Sequence, residues 1–407
     1  MRLVGARSLQ TFGRQIIGAT IVWEMYKRTG EATSALVIFA IGLVQVAPVI
    51  ALFVPAGALV DRVDRRLLST IAALMTGVVG IGLALASASD APVPVYLALL
   101  ALQGCVNVVH APASTTMIPL IIPREDLTRT NRISASAQEL ATVIGPFLAG
   151  VSLAVAGPAW NYACVAVTGI AAGILYRSLP PPRQIAAAPA SDRKDWRVGL
   201  RFIFRSPLLL PALTLDMFAV LFAGVAALLP LIATELLHTG EIGYGMLRAA
   251  QSVGAVAMAV IGGRLPAWRR PGRVLLTVVA LFGVTTIGVG LSRSLPLTLL
   301  LLVVCGALDN ISVVIRLTLE QLVVPDAIRG RVSSVHYVFI GMSNELGIAE
   351  SGAAVYLVGL VPAIVGGGAL AILVVGVVAL KWRALAAMPP LAELTPEHGE
   401  PPVQRAA

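Results

Sequence analysis

Apolar residues recur through this chain in runs of about 20, the length that crosses the hydrocarbon core of a bilayer. The runs fall near residues 6–26, 34–60, 67–89, 93–121, 132–156 and 160–179, and again near 207–233, 243–263, 274–292, 295–322, 332–358 and 361–381. In lipid each backbone polar group must be satisfied within the protein, which leaves helices or closed barrels. Runs this long specify helices. Composition agrees: 57% of the 407 residues are hydrophobic and 13% charged, with mean hydropathy +0.87, whereas a soluble domain carries roughly 25% charged residues. The pattern predicts an all-α polytopic membrane protein with twelve transmembrane helices, six in each half.

The formal charge of +9 could signal a nucleic-acid partner, but its distribution argues against one. About 24 of the 30 Lys and Arg residues fall in the termini and in alternate loops, the bias that marks the cytoplasmic side. Lys27, Arg28 and Arg293 occupy the opposite loops. Both termini are therefore expected in the cytoplasm, and the basicity sets orientation. Cys105, Cys164 and Cys305 all lie within spans, without a CxxC pair or a His at ligand spacing. They read as small core residues, and neither a disulfide, a metal nor a cofactor is expected. The first span contains Arg7, Arg14, Gln15 and Glu24 and lacks the uninterrupted apolar core of a signal peptide. It begins almost at Met1, and the native start is expected slightly upstream, which an N-terminal mass on native protein would test.

Residues 1–179 and 207–383 form the two expected halves. Between them, 180–206 opens with Pro180, Pro181 and Pro182 and then carries Arg193, Arg197, Arg201 and Arg205 at every fourth position. On a helix these make one basic stripe, flanked by Trp196, Leu200, Ile203 and Phe204. Such a helix is expected in the cytoplasmic interface, its arginines reaching anionic headgroups; a flexible linker and a partner-docking segment are the alternatives. Residues 384–407, rich in Pro and polar groups, are expected to be a disordered cytoplasmic tail. The halves carry traces of duplication. Ile122-Pro123 precedes Arg132-Ile133-Ser134 at span five, and Val324-Pro325 precedes Arg331-Val332-Ser333 at span eleven. Parallel six-span repeats are a known transporter design. The loop after span eight, from Gly263 through Arg270, keeps the glycine and positive charges of residues 57–66 without the aspartate.

Between spans two and three, Gly57, Leu59, Asp61, Arg62, Arg65 and Arg66 match the pattern Gly-x-Leu-x-Asp-Arg-x-Gly-Arg-Arg, with Asp64 at the second glycine. The segment resembles the signature loop of the major facilitator superfamily. Physically, Gly57 would let two helices approach closely. Asp61 and Asp64 precede a helix N-terminus, where negative charge is favoured, and the arginines could pair with them. The resemblance implies a cytoplasmic gate-side latch. In span five, Gly145, Pro146 and Gly150 resemble a motif typical of exporters in that superfamily, with Ala149 in place of a glycine; an ordinary packing motif is the other reading. Longer stretches resemble its enterobactin-exporter-like branch, also called transmembrane secretion effectors. They include Gly13 through Tyr26, Leu215 through Phe222, Gly245 through Ala250 and Val313 through Gly352. This implies a proton-driven exporter of siderophores, drugs or similar metabolites, with a cavity formed mainly by helices one, four, seven and ten.

Ionisable groups at membrane depth cost several kcal/mol and are functional candidates by default. Asp309 and Arg316 share a face of span ten, roughly 10 Å apart along the axis, so each is expected to reach another helix. Glu320 is one further turn on and could pair with Arg316. Glu345, Asp309, Glu350 and Asp216 are the candidates for carrying protons, each with a structural ion pair or hydrogen bond as the alternative. Arg14, Arg248 and Arg316 are the expected counter-charges. Gln15, Asn107, His110 and Asn344 are candidate cavity residues. Glu139 and Asp216 lie nearer the cytoplasmic end, where a gate pair is equally consistent, and His336 lies at the cytoplasmic edge.

The sequence reading is thus a secondary transporter that exports a small organic molecule in exchange for protons by alternating access. It is expected in a bacterial cytoplasmic membrane, functional as a monomer and without a cofactor. An importer of the same fold is the alternative, followed by a transport-inactive membrane scaffold or sensor. The chain offers neither a nucleophile–base pair nor a phosphate-cradling loop, so neither an enzyme nor an ATP-driven pump is expected.

Overall fold

The computed structural model describes residues 1–122, 126–180, 196–262 and 268–399. The sequence features at Pro123, Arg193 and residues 263–267 lie outside the described residues, as do the side chains of Asp61, Arg62, Arg132, Glu139 and Trp196.

The ordered elements are α1 (Arg2–Arg62), α2 (Arg65–Ala88), α3 (Val93–Thr116), α4 (Ile118–Ile121), α5 (Leu127–Arg177), α6 (Trp196–Arg205), α7 (Leu209–Ala223), α8 (Leu229–Leu231), α9 (Glu241–Gly262), α10 (Pro271–Leu291), α11 (Leu295–Val323), α12 (Asp326–Val358), α13 (Leu360–Lys381) and α14 (Arg383–Ala386). Two of these are pairs of spans joined at a glycine with positive φ: Gly30 (φ 73°) breaks α1 and Gly157 (φ 77°) breaks α5. A side chain other than glycine is strained in that region, so each glycine marks a tight reversal.

Nine segments among the described residues are long and apolar enough to cross a membrane, and one of them, Ser136–Arg177, contains the break at Gly157. The stretches that miss this criterion begin α1 and make up α12, where Arg7, Arg14 and Glu24 or Glu345 and Glu350 dilute the apolar run. With these restored, the helices are consistent with the twelve expected. Two expected spans end or bend early. The fourth stops at a turn at Met117. The seventh stops at Gly224 and continues as a 3₁₀ turn over Val225–Leu228 and a π turn over Ile232–Leu236.

The duplication is visible in the backbone. Pro94 and Pro296 stand in the first turn of α3 and α11, and Gly157 and Gly359 (φ 87°) make the reversals after α5's first span and after α12. Each pair is 202 positions apart (296 − 94 and 359 − 157).

Two compact units result: residues 1–186 with 226–252, and residues 187–225 with 253–407. In unit 1, Leu74, Val78, Ile81 and Leu85 form an exposed apolar stripe on α2, the surface expected to face acyl chains. The opposite face is lined with small residues. A Cβ on Gly169 of α5 would lie 2.5 Å from the Gly77 backbone nitrogen, so α2 and α5 touch through backbone. Gly283 and Gly368 play the same part between α10 and α13 in unit 2, where a Cβ on Gly283 would sit 2.7 Å from the Gly368 carbonyl.

The units depart from the sequence halves in two places. Residues 226–252 pack in unit 1: a Cβ on Gly150 would sit 2.3 Å from Gly245 Cα, Trp23 stacks on Tyr244 with ring centroids 5.0 Å apart, and the Tyr244 hydroxyl donates to the Ala19 carbonyl at 2.6 Å. The tail, expected disordered from Ala384, is folded as far as Gly399. Leu385, Met388 and Leu394 are buried in the core of unit 2, which the low overall hydropathy of this segment concealed.

Candidate functional site

Three apolar helices of unit 2 enclose a buried charge cluster. Asp216 projects from α7, and Asp309, Ser312 and Arg316 from one face of α11. The Arg316 guanidinium forms an ion pair with the Asp216 carboxylate, and both residues are buried. Arg316 Nε also donates to the Ser312 carbonyl at 3.3 Å. Asp309 stands within electrostatic reach of both members of the pair. One guanidinium thus pairs with Asp216 and lies near a second carboxylate, in a setting where an unpaired charge is expensive.

Asp216, Asp309 and Ser312 open onto a small cavity whose other walls are apolar, among them Ala219, Val278 and Phe282 from α7 and α10. About 20 Å³ of it is open to the centre of a water molecule. One water needs roughly 10–15 Å³ by that measure, so the cavity suits a water or a proton relay and is far too small for an organic solute.

The other sequence candidates fall elsewhere. Glu345 and Glu350 on α12 are half-buried and do not line this cavity; Asn344 is exposed and its side-chain amide donates to Ile340 O at 2.9 Å. The expected Arg316–Glu320 pairing is not made, because Arg316 turns to Asp216. Glu320 instead accepts a hydrogen bond from the Ser333 hydroxyl and pairs with the His336 imidazole, clasping the end of α11 to the start of α12.

Around α3, the interior of unit 1 is held by hydrogen bonds between neutral side chains. The Gln10 and Gln103 side-chain amides both donate to the Thr76 hydroxyl, at 2.8 and 3.3 Å, and Gln103 also donates to Asn107 Oδ1 at 2.9 Å. His110 Nε2 lies 3.2 Å from the Tyr176 hydroxyl, with the rings edge-on. Arg14 is exposed halfway along the first span of α1, Gln15 is half-buried beside Gly145, and Arg248 donates to the Ala226 carbonyl at 2.9 Å. Pro146 lies within α5, one residue after Gly145.

At one end of unit 1, Glu24 Oε1 accepts from Arg28 Nε at 2.9 Å, Ser87 Oγ at 2.8 Å and Tyr96 OH at 2.9 Å. Arg28 reaches on to Asp90 at 3.2 Å. Lys27 pairs with Glu241 at 3.6 Å and Tyr26 donates to Glu235. Gln10, Thr76, Gln103 and this Glu24 knot were not among the sequence candidates. Glu24, one of the charges that dilute span one, was the signal the sequence offered; Gln10, Thr76 and Gln103 carry no charge and offered none.

The loop after α1 shows one departure from expectation. A Cβ on Gly57 would meet nothing within 4 Å, so no helix approaches it closely in this structure. Asp64 caps α2 by accepting from Arg66 N at 2.8 Å, and Arg66 Nη1 donates to the Leu179 carbonyl at 2.7 Å. The Arg66 guanidinium is thus directed to a helix C-terminus.

Two repeated helical halves, a basic loop at one end and charges held inside apolar helices define a class: a polytopic membrane transporter. The chain belongs to the Major Facilitator Superfamily, whose sequence pattern matches residues 3–348. It is 31% identical over 287 residues to the enterobactin exporter EntS of Citrobacter koseri, covering 69% of this chain and 67% of that protein. It is 30% identical over 288 residues to EntS of Shigella boydii, with the same coverage. In fold it is similar to a bacterial homologue of the human lysosomal transporter Spinster, with a TM-score of 0.70 at 14% identity over 95% of this chain and 97% of that one. A peptide-bound POT family transporter gives a TM-score of 0.72 at 12% identity, over 94% and 96%. The chain is accordingly a transporter and not an enzyme.

Proposed function

We propose that the chain exports a small organic molecule in exchange for protons, with the Asp216–Arg316–Asp309 cluster as the coupling site. The observation that carries this reading is the buried Asp216–Arg316 ion pair with a second carboxylate, Asp309, on the wall of the same water-sized cavity. With both carboxylates ionised the cluster bears net negative charge inside apolar helices. One proton on Asp309 brings it to neutrality and leaves Arg316 to Asp216. Loss of that proton makes Asp309 a competitor for the guanidinium. Proton occupancy thereby selects which contact α11 makes with α7, a two-state element of the kind alternating access requires.

Export is supported by the Gly145–Pro146–Gly150 segment and by similarity to proteins named enterobactin exporters, and siderophores or similar metabolites are the proposed cargo. The charge bias supports a cytoplasmic membrane with both termini inside. The loop of Gly57, Asp61, Arg62, Asp64, Arg65 and Arg66 acts as the cytoplasmic latch, and a monomer is the working unit. Glu345 and Glu350 are the comparison carboxylates.

The test uses everted membrane vesicles with an imposed proton gradient and a panel of siderophores, lipophilic cations and antibiotics. Substrate-induced proton release in the native protein, lost at least tenfold in D309N and retained in E345Q, supports the assignment. Full release in D309N with loss in E345Q moves the coupling site to α12. Energy-dependent accumulation of a panel compound by intact cells would instead favour import.

A further inference from the structure

The basic helix that joins the two halves is docked, not free. On α6, Ile203 is 1% exposed and belongs to the core of unit 2. Gly199 meets α12 so closely that a Cβ there would lie 2.6 Å from the Arg331 carbonyl oxygen. The Ser206 hydroxyl accepts from Leu209 N at 3.3 Å and fixes the joint to α7. The opposite face is exposed: Arg197, Arg201 and Arg205 all point outward, and Phe204 between them is 56% exposed. Arg269, Arg270 and Arg273 at the start of α10 and Arg383 at the start of α14 are also exposed.

Three arginines spaced by four and an exposed aromatic ring suit a surface that is anionic above and apolar below. That surface is the headgroup boundary of a bilayer containing acidic phospholipids. A soluble anion would satisfy the arginines but leave Phe204 in water.

The inner face of α6 leads to a second device. Arg331, whose backbone Gly199 touches, lies two residues before Ser333, and Ser333 and His336 hold Glu320 of α11 in the clasp described above. Glu320 stands one turn from Arg316 on the same helix.

We propose that α6 is a lipid-responsive lever. Acidic phospholipid headgroups bind Arg197, Arg201 and Arg205, and the backbone contact at Gly199 transmits that engagement to the first turns of α12 and the Glu320–Ser333–His336 clasp. This stands apart from the proton assignment, and its test needs no substrate.

The full chain is placed in nanodiscs of phosphatidylcholine alone, or of phosphatidylcholine with phosphatidylglycerol, and amide hydrogen exchange is followed over 197–205 and 331–336. Acidic lipid is expected to slow exchange in both segments, and inorganic phosphate added to the neutral discs is expected to slow neither. Each arginine contributes about fivefold to the protection of α6, so R197Q/R201Q/R205Q should lose the lipid response while keeping the neutral-disc pattern. Gly199→Ala should retain a response in α6 and lose it at 331–336. Equal exchange in the two lipids overturns the proposal, as does a response that survives in the triple variant or is reproduced by free phosphate. A response in 197–205 that never reaches 331–336 in the native protein overturns the lever.

Discussion

Helices α3 and α11 occupy repeat-related positions in the two units and solve the same problem with different chemistry. At the offset of 202, Gln103, Asn107 and His110 correspond to Cys305, Asp309 and Ser312, and Arg14 of α1 corresponds to Asp216 of α7. In unit 1 the buried α3 positions join amides and a hydroxyl through Thr76. In unit 2 the same face of α11 carries Asp309 and Arg316, and Arg316 pairs with Asp216 of α7. A network of neutral groups keeps one arrangement at every pH near neutrality and acts as a joint. The charged cluster can change its number of protons, so of these two networks it alone has a state to switch.

If that contrast is right, the largest stability loss comes from unpairing the charges. Arg316→Met strands Asp216 and Asp309 in an apolar setting and should cost about 4 kcal/mol, read as thermal unfolding of the purified protein in detergent. Adding Asp216→Asn should recover part of the loss without restoring transport. Native-like unfolding of the single variant would mean that the guanidinium does not neutralise the cluster. The converse substitution comes next. Asn107→Asp puts a carboxylate where unit 1 has an amide, and should destabilise by about 3 kcal/mol, with the loss shrinking as pH falls and the new group takes a proton. A pH-independent effect would show that unit 1 tolerates charge as well as unit 2 does.

The hub of the neutral network is smaller. Thr76→Val keeps the shape but leaves the Gln10 and Gln103 donors without their shared acceptor, a loss of about 2 kcal/mol. Transport per folded molecule should be unchanged, because nothing in this network stores a proton.

What the sequence made legible follows from the same distinction. Hydropathy and glycine spacing determine the spans, since bilayer thickness acts on each helix separately. The polar face of α11 was also visible, because Asp309 and Arg316 share it by helical geometry alone. The partners were not. Asp216 lies 100 positions from Arg316 (316 − 216), and only packing of α7 on α11 selects it over Glu320, the neighbour that helical spacing favours. Gln10 and Thr76 carry no charge and so gave no signal of cost. Leu385, Met388 and Leu394 are too sparse in a polar tail to predict the burial they find. The aspartate of the loop after α1 became a helix cap, while its arginine found the Leu179 carbonyl, a choice that depends on where another helix happens to end.

The smallest expected effect sharpens the contrast most. Tyr176 is fully buried, and its hydroxyl pairs with His110 Nε2 at 3.2 Å. Tyr176→Phe removes one hydrogen bond without opening a cavity and should cost about 1 kcal/mol. The His110 ring keeps its edge-on contact, so the variant should fold and transport like the native protein, measured as initial rates in vesicles at matched protein levels. A stability change of that size with a tenfold loss of transport would place His110 on the working path. Unit 1 would then hold a second proton-responsive group, and the division between a joint and a switch would have to be redrawn around the imidazole.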